Sequence, residues 1–249
     1  MTYQTFDEWF SKTTHTKWEQ LNALKGIPQP EQWHPEGDAY VHTLMVCREV
    51  WDRYYYGDAM ANVNMCAAIT HDFGKALTNP EKWPSHYGHA DLGVTPTKAF
   101  LREYWNYPGV ERTVNICAFT TKYHMHMHQI HVMKPSTFVK IFLAAVEMCG
   151  EHYMLALETL ARLGVCDHYG RGNVDHSVPY YDTLRFLAYM YQVDAVHRTW
   201  KGYPRELESR LRNLRTWNFY RDYDLNGAKP SRYPIYLERA NSILRLRKD

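Results

Sequence analysis

Histidine and aspartate stand side by side at His71-Asp72, at the end of the apolar run Ala67-Ala68-Ile69-Thr70 and just before Gly74 and Lys75. Imidazole nitrogen and carboxylate oxygen are the ligand types that hold hard-to-borderline divalent cations. Adjacent helical residues diverge by about 100°, so a shared ion requires the helix to end there and open its last turn. His42 upstream and Asp167 far downstream supply two more groups of the same kinds. Taken singly, His42 reads as a core histidine and Asp167 as a helix-end carboxylate. As a set, they form an N/O site for an ion that activates water for hydrolysis. Lys75, one turn beyond the pair, suits negative charge building on a phosphoryl oxygen. Its plainer reading is neutralisation of a helix C-terminus.

Composition frames this chemistry. The 249 residues fit one large domain or a domain with an appendage, with 45% hydrophobic and 22% charged residues. A formal charge of +2 demands neither a nucleic-acid nor a membrane partner. Fourteen histidines are many for this length and lean toward metal binding. Cys47, Cys66, Cys117, Cys149 and Cys166 are scattered and form no Cys-x-x-Cys pair, which argues against a disulfide framework or a zinc ribbon. The N-terminus has neither a basic start nor an apolar core, and no apolar run approaches the roughly 20 residues that span a bilayer. A soluble, cytoplasmic protein is expected.

The elements that must position these groups read as helices nearly throughout. Val41, Leu44, Met45 and Trp51 follow helical spacing behind Asp38, a suitable N-cap. Met65, Ala68, Ile69 and Asp72 mark a second helix, which Gly74 is expected to close as a left-handed cap. A third is predicted from Gly88-His89 toward Trp105, with Pro108-Gly109 as its stop. Val114, Ile116, Cys117, Ala118 and Thr121 lead to His124 at the end of a fourth. Pro135 opens a fifth, with Phe138, Ile141, Phe142 and Ala145 on its apolar face, and Tyr153 to Val165 form a sixth with Asp167 at its end. Strand alternation is absent, so the fold class is all-α.

On these residues the chain resembles a known family. The order His42, His71-Asp72, Asp167 is similar to the signature of the HD-domain metal-dependent phosphohydrolases. His34-Pro35-Glu36-Gly37-Asp38 with Val41-His42-Thr43-Leu44 resembles the entry to the HD domain of bacterial CCA-adding tRNA nucleotidyltransferases. Further matching stretches are His71 to Thr78, Trp83-Pro84-Ser85-His86, Gly88-His89, Tyr123-His124 with His128, and Lys134-Pro135. The similarity covers roughly residues 30–170. About thirty residues precede it, too few for the nucleotidyltransferase head of those enzymes, so CCA addition is not expected. In the related enzymes the HD domain resembles a phosphatase and a 2′,3′-cyclic phosphodiesterase.

The resemblance implies an HD-domain helical bundle with an extra C-terminal helical segment. Its expected parts are a helical lead-in over residues 1–30, the HD domain over 31–178, and a C-terminal extension over 179–249 packed on it. The expected cofactor is a divalent ion (Mn, Ni, Co, Mg or Fe) held by His42, His71, Asp72 and Asp167. Binuclear members of the superfamily bridge two metals with the Asp of the pair, which makes His89 and His124, with His128 behind them, the candidates for a second ion. Asp72, Lys75 and His86 are the catalytic candidates, with His86 a phosphate donor or the acid for the leaving alcohol. His34, Glu36, Lys75 and Arg171 are the candidate substrate contacts. The expected reaction is hydrolysis of a nucleotide-type phosphomonoester, or of a 2′,3′- or 3′,5′-cyclic phosphodiester, by a stand-alone enzyme, with a nucleotide or RNA-end phosphoester as substrate.

Two alternatives come from other classes: a di-iron HD-fold oxygenase, and a non-catalytic RNA-binding module. The RNA reading draws on Arg198, Arg205, Arg210, Arg212, Arg215 and Arg221, interleaved with Trp200, Tyr203, Trp217, Phe219 and Tyr220. An amphipathic surface with solvated arginines is the plainer account of that stretch, because Glu206 and Glu208 dilute its charge. The sequence does not set the oligomeric state.

Overall fold

The structure, a computed structural model, describes residues 3–55, 60–105, 107–178, 180–200, 209 and 234–244. Arg205, Arg210, Arg212, Arg215, Arg221, Tyr203, Trp217, Phe219 and Tyr220 lie outside the described residues. Those described are all-α, and their only bridge between extended residues is an isolated pairing of Pro28 with Asp38.

The first helices are short and aromatic. Helix α1 (Phe6–Lys12) and α2 (Glu19–Asn22) place Phe6, Phe10, Trp18, Leu21 and Leu24 in a core shared with Trp51 and Phe100. Helix α3 (Ala39–Val50) starts at Asp38, whose carboxylate accepts from the amides of Tyr40 and Val41 as an N-cap does. Its buried residues are Ala39, His42, Thr43, Val46, Cys47 and Val50, one face at helical spacing. His42 therefore points inward because its neighbours a turn away are core residues.

Helix α4 (Ala61–Thr70) is buried continuously from Val63 to Thr70 and so runs through the interior. It ends where the chemistry begins. His71 keeps right-handed helical angles, Asp72 departs to φ −106° and ψ 6°, and a tight 3-10 turn follows over Phe73–Leu77. That opening lets consecutive side chains face one pocket. Gly74 is not a left-handed cap, contrary to expectation; it lies inside the 3-10 turn and its value is its missing side chain. A Cβ there would come 1.9 Å from the His89 carbonyl oxygen, so only glycine lets this turn press against the start of the next helix.

The third expected helix is two: α5 (His89–Leu92) and α6 (Val94–Tyr104), interrupted at Gly93, whose backbone lies against Gly74. Gly88 leads into α5 with φ +80°, a left-handed value that favours glycine. Helix α7 (Val110–Tyr123) delivers His124 at its C-cap, and Met125 to His128 continue in a 3-10 turn. Helix α8 (Pro135–Cys149) begins with proline in its first turn.

Helix α9 (Tyr153–Tyr169) is the axis of the molecule, packing against α3, α4, α7 and α8, and carries Asp167 in its last turn. Helices α10 (Tyr181–Thr199) and α11 (Pro234–Leu244) complete a second core with α7, α8 and α9 around Phe142, Leu160, Phe186 and Leu187. Tyr54 donates a hydrogen bond to the Leu244 carbonyl at 2.6 Å, tying α11 back to the segment after α3. No helix among the described residues is long and apolar enough to cross a membrane.

Candidate metal centre

Side chains from α3, the end of α4, the start of α5 and the end of α7 meet at Asp72, which is 1% exposed, and the end of α9 reaches this cluster through His42. His42 Nε2, His71 Nε2 and Asp72 lie within 4.8 Å of one another, as do the ligating atoms of Asp72, His89 and His124. Asp72 Oδ2 is 3.2 Å from His71 Nε2 and 3.9 Å from His42 Nε2. Its other oxygen, Oδ1, is 3.3 Å from His89 Nε2 and 3.6 Å from His124 Nε2. Asp167 adjoins the first group through His42, with Oδ1 3.1 Å from His42 Nε2. The one carboxylate of Asp72 thus stands between two sets of imidazoles.

The second ring nitrogen of each histidine settles which atom is offered. His71, His89 and His124 each place Nδ1 on the backbone carbonyl three residues earlier: Ala68 at 2.8 Å, His86 at 2.7 Å and Thr121 at 2.7 Å. A carbonyl only accepts, so Nδ1 carries a proton in each ring and Nε2 is the atom turned toward Asp72, with the Nε2 atoms of His89 and His124 3.1 Å apart. His42 differs, since both its nitrogens face carboxylates: Nδ1 is 2.8 Å from Glu36 Oε1 and Nε2 3.1 Å from Asp167 Oδ1, so Nε2 must give up its proton before it can ligate. Carboxylate–histidine pairs of this kind fix the ring and raise its basicity toward a metal.

Charge follows from these contacts. Burial opposes ionisation of Asp72, but His71, Lys75 and His124 outweigh it and hold its carboxyl well below the usual range. Asp167 is likewise held down against burial by His128 and His42. Glu36 is depressed by His34, His42 and the Gly172 amide, again against burial. Burial tends to strip His42 of its proton, yet Asp167 and Glu36 prevail and push it up. Burial, with His89 adding to it, brings His124 down to about 4, although its bond to Asp72 opposes this. Ionised carboxylates beside a neutral imidazole are the forms that ligate metal.

These residues fit a divalent ion. His71 Nε2 and Asp72 Oδ1 are buried with no hydrogen-bond partner among the described residues, so both are left as donor atoms for an ion, while Asp72 Oδ2 meets the Lys75 ammonium at 2.6 Å. His42, His71, Asp72 and Asp167 would hold one ion; Asp72, His89 and His124 offer the donors for a second.

The remaining candidates take distinct places. Lys75, 6% exposed, sets Nζ 2.6 Å from Asp72 Oδ2 and also donates to Gln29 Oε1. His128 joins the first group rather than the second, with Nε2 2.7 Å from Asp167 Oδ2 and Nδ1 2.7 Å from an Arg171 nitrogen. Arg171 therefore braces His128, which braces Asp167. His34 and Glu36 pair at 2.9 Å, and Glu36 also accepts from the Gly172 amide at 3.2 Å. His86 has both ring nitrogens engaged, Nε2 on the Pro28 carbonyl at 2.8 Å and Nδ1 on Thr78 Oγ1 at 2.9 Å. It joins the Pro28–Gln29 segment to the 3-10 turn and has no nitrogen left for a phosphate. Sequence reasoning missed Gln29, because nothing in its local pattern signals a contact with Lys75.

Similarity to known proteins covers part of the chain. It is 35% identical over 123 residues to a multifunctional CCA protein of Pasteurella multocida, covering 49% of this chain and 29% of that protein. The corresponding protein of Actinobacillus pleuropneumoniae serotype 5b is 38% identical over 124 residues, with the same shares. That of Vibrio vulnificus is 34% identical over 174 residues, 68% of this chain and 39% of its own length. The matched stretch thus spans about a third of these relatives' length. No family model matches the chain, and no solved structure does. Its relatives are multifunctional CCA proteins, and what it shares with them is one part of their length.

Proposed function

We propose that this chain is a metal-dependent phosphohydrolase of the HD type, acting on a nucleotide-type phosphomonoester or a 2′,3′- or 3′,5′-cyclic phosphodiester. The observation that carries the reading is the buried cluster of His42, His71 and Asp72, with Asp167 against His42 and the Lys75 ammonium against Asp72. A bound divalent ion supplies a water acidic enough to ionise near neutral pH and a Lewis acid for a phosphoryl oxygen. Asp72 is placed to accept a hydrogen bond from the attacking water and orient it. Lys75 meets the charge that grows on the phosphoryl oxygens as the bond to the leaving alcohol breaks. Glu36 and the Arg171–His128 pair keep His42 and Asp167 in position. The relatives' name, CCA, favours a substrate at an RNA end. The five buried free cysteines suit a reducing, cytoplasmic setting.

The test is a panel of model phosphoesters and 2′,3′- and 3′,5′-cyclic nucleotides, assayed with Mn²⁺, Ni²⁺, Co²⁺ and Mg²⁺. Metal-dependent release of phosphate or opening of a cyclic ester is the expected result. Absence of turnover on every substrate, with metal demonstrably bound, overturns the reading. A second reading, the di-iron oxygenase, draws support from the two donor sets that flank Asp72. Stoichiometric iron with a mixed-valence EPR signal, in protein isolated without added metal, would select it. Lys75 in contact with Asp72 favours phosphate.

A further inference from the structure

Gln29 is buried, at 5% exposure, on a short extended segment pinned on both sides. Its amide nitrogen donates to the Gly37 carbonyl at 2.9 Å, and Ala39 donates back to Ile27 at 3.0 Å. The side chain is therefore carried by backbone locked to the start of α3, the helix of His42. Its Oε1 accepts from Lys75 Nζ. An ammonium has donors only, so the amide must turn its oxygen toward Lys75, and the identity of the other end follows. That end, Nε2, is buried and has no hydrogen-bond partner among the described residues. Nitrogen and oxygen of one amide stay about 2.2 Å apart by covalent geometry, so these N–H donors remain beside the Lys75 ammonium.

A buried donor without an acceptor is costly, and in a native site it calls for a specific cause. Lys75 already spends part of its charge on Asp72. A neutral amide adjacent to it adds donors without adding charge, a combination suited to an acceptor-only, multiply charged group.

We propose that Gln29 Nε2 is a substrate-binding donor, pairing with Lys75 Nζ to hold two non-leaving oxygens of a phosphoryl group at the Asp72 centre. This deepens the phosphohydrolase reading and rests on it. Gln29 thereby favours a tetrahedral phosphoryl group, whose several oxygens accept from both donors at once, over a planar carboxylate. The competing role is mechanical: Gln29 merely holds Lys75 in place.

A double-mutant cycle separates the two roles. The probe is inorganic phosphate, its affinity measured by calorimetry on metal-loaded full-length protein, with metal content determined for every variant. Gln29→Met is expected to weaken phosphate binding about tenfold, on the scale of one lost hydrogen bond to a charged group. The same loss is expected in a Lys75→Met background. If Gln29→Met changes nothing once Lys75 is gone, Gln29 is a positioning residue for Lys75 and the proposal is overturned. Should Gln29→Met fail to fold or to load metal, Gln29→Glu serves, because it keeps the oxygen for Lys75 and removes the N–H donors. Glu at this position must weaken phosphate at least as much, and wild-type affinity there overturns the proposal. Wild-type protein that turns over phosphoesters while Gln29→Met binds phosphate normally defeats the Gln29 assignment alone. Wild-type protein that holds metal but neither binds phosphate nor turns over any phosphoester defeats the phosphohydrolase reading, and this one with it.

Discussion

His71, His89 and His124 each donate from Nδ1 to the carbonyl three residues back, so Nε2 is the nitrogen each ring turns toward Asp72 before any ligand arrives. His42 depends instead on a side chain, and Glu36 is the residue to change. Glu36→Gln replaces the carboxylate that lies 2.8 Å from His42 Nδ1, and metal affinity should fall about 10- to 100-fold, the usual range for such outer partners. Competition against a chelator of known affinity measures this; an unchanged constant would show that packing alone orients His42. Asp72→Ala should abolish metal-dependent turnover while circular dichroism keeps the helical signal, since the residue belongs to neither hydrophobic core. Lys75→Ala should retain metal and lose about 10²- to 10³-fold in rate, the scale of one charge donor in a transition state. Loss of metal from the Lys75 variant would instead make Lys75 structural.

Elements set how closely these residues approach. The 3-10 turn after α4 presses on α5 because Gly74 lacks a side chain. Gly74→Ala puts a methyl group 1.9 Å from the His89 carbonyl oxygen, and backbone on both sides cannot yield cheaply. The expected cost is about 1–3 kcal/mol of stability, as for other overpacked sites. Because α5 must move away from Asp72, His89 moves with it, and any second ion should be lost more readily than the first. Thermal melts together with metal stoichiometry check both parts. A variant as stable as wild type with unchanged stoichiometry would mean that the turn has slack. The break at Gly93 and the 3-10 ending of α4 left no trace in hydrophobic periodicity. Both arise from backbone meeting backbone, which pattern counting does not register. Asp38, by contrast, was readable as an N-cap, because an aspartate before an apolar helix acts on amides within three residues of itself.

Across the whole molecule, the proposed centre joins helices that are distant in sequence: His42 of α3 and Asp167 of α9 lie 3.1 Å apart. A metal that binds only the folded chain should therefore stabilise it as a unit. At a hundredfold excess over its dissociation constant the gain is about 2.7 kcal/mol. Chelation should lower the melting temperature reversibly, and Asp72→Ala protein should show no such dependence. An equal shift in that variant would place the stabilising ion elsewhere. The sequence by itself determined the helical class, the N-cap of α3, and the helix ends that carry His71, His124 and Asp167, because residue type and short-range spacing act locally. Only the tertiary structure decided that His89 and His124 face Asp72 while His128 braces Asp167, that His86 is spent on Pro28 and Thr78, and that Gln29 meets Lys75. Those partners come from segments that packing alone brings together, and one sequence carries no local record of which side chain a distant helix will turn toward it.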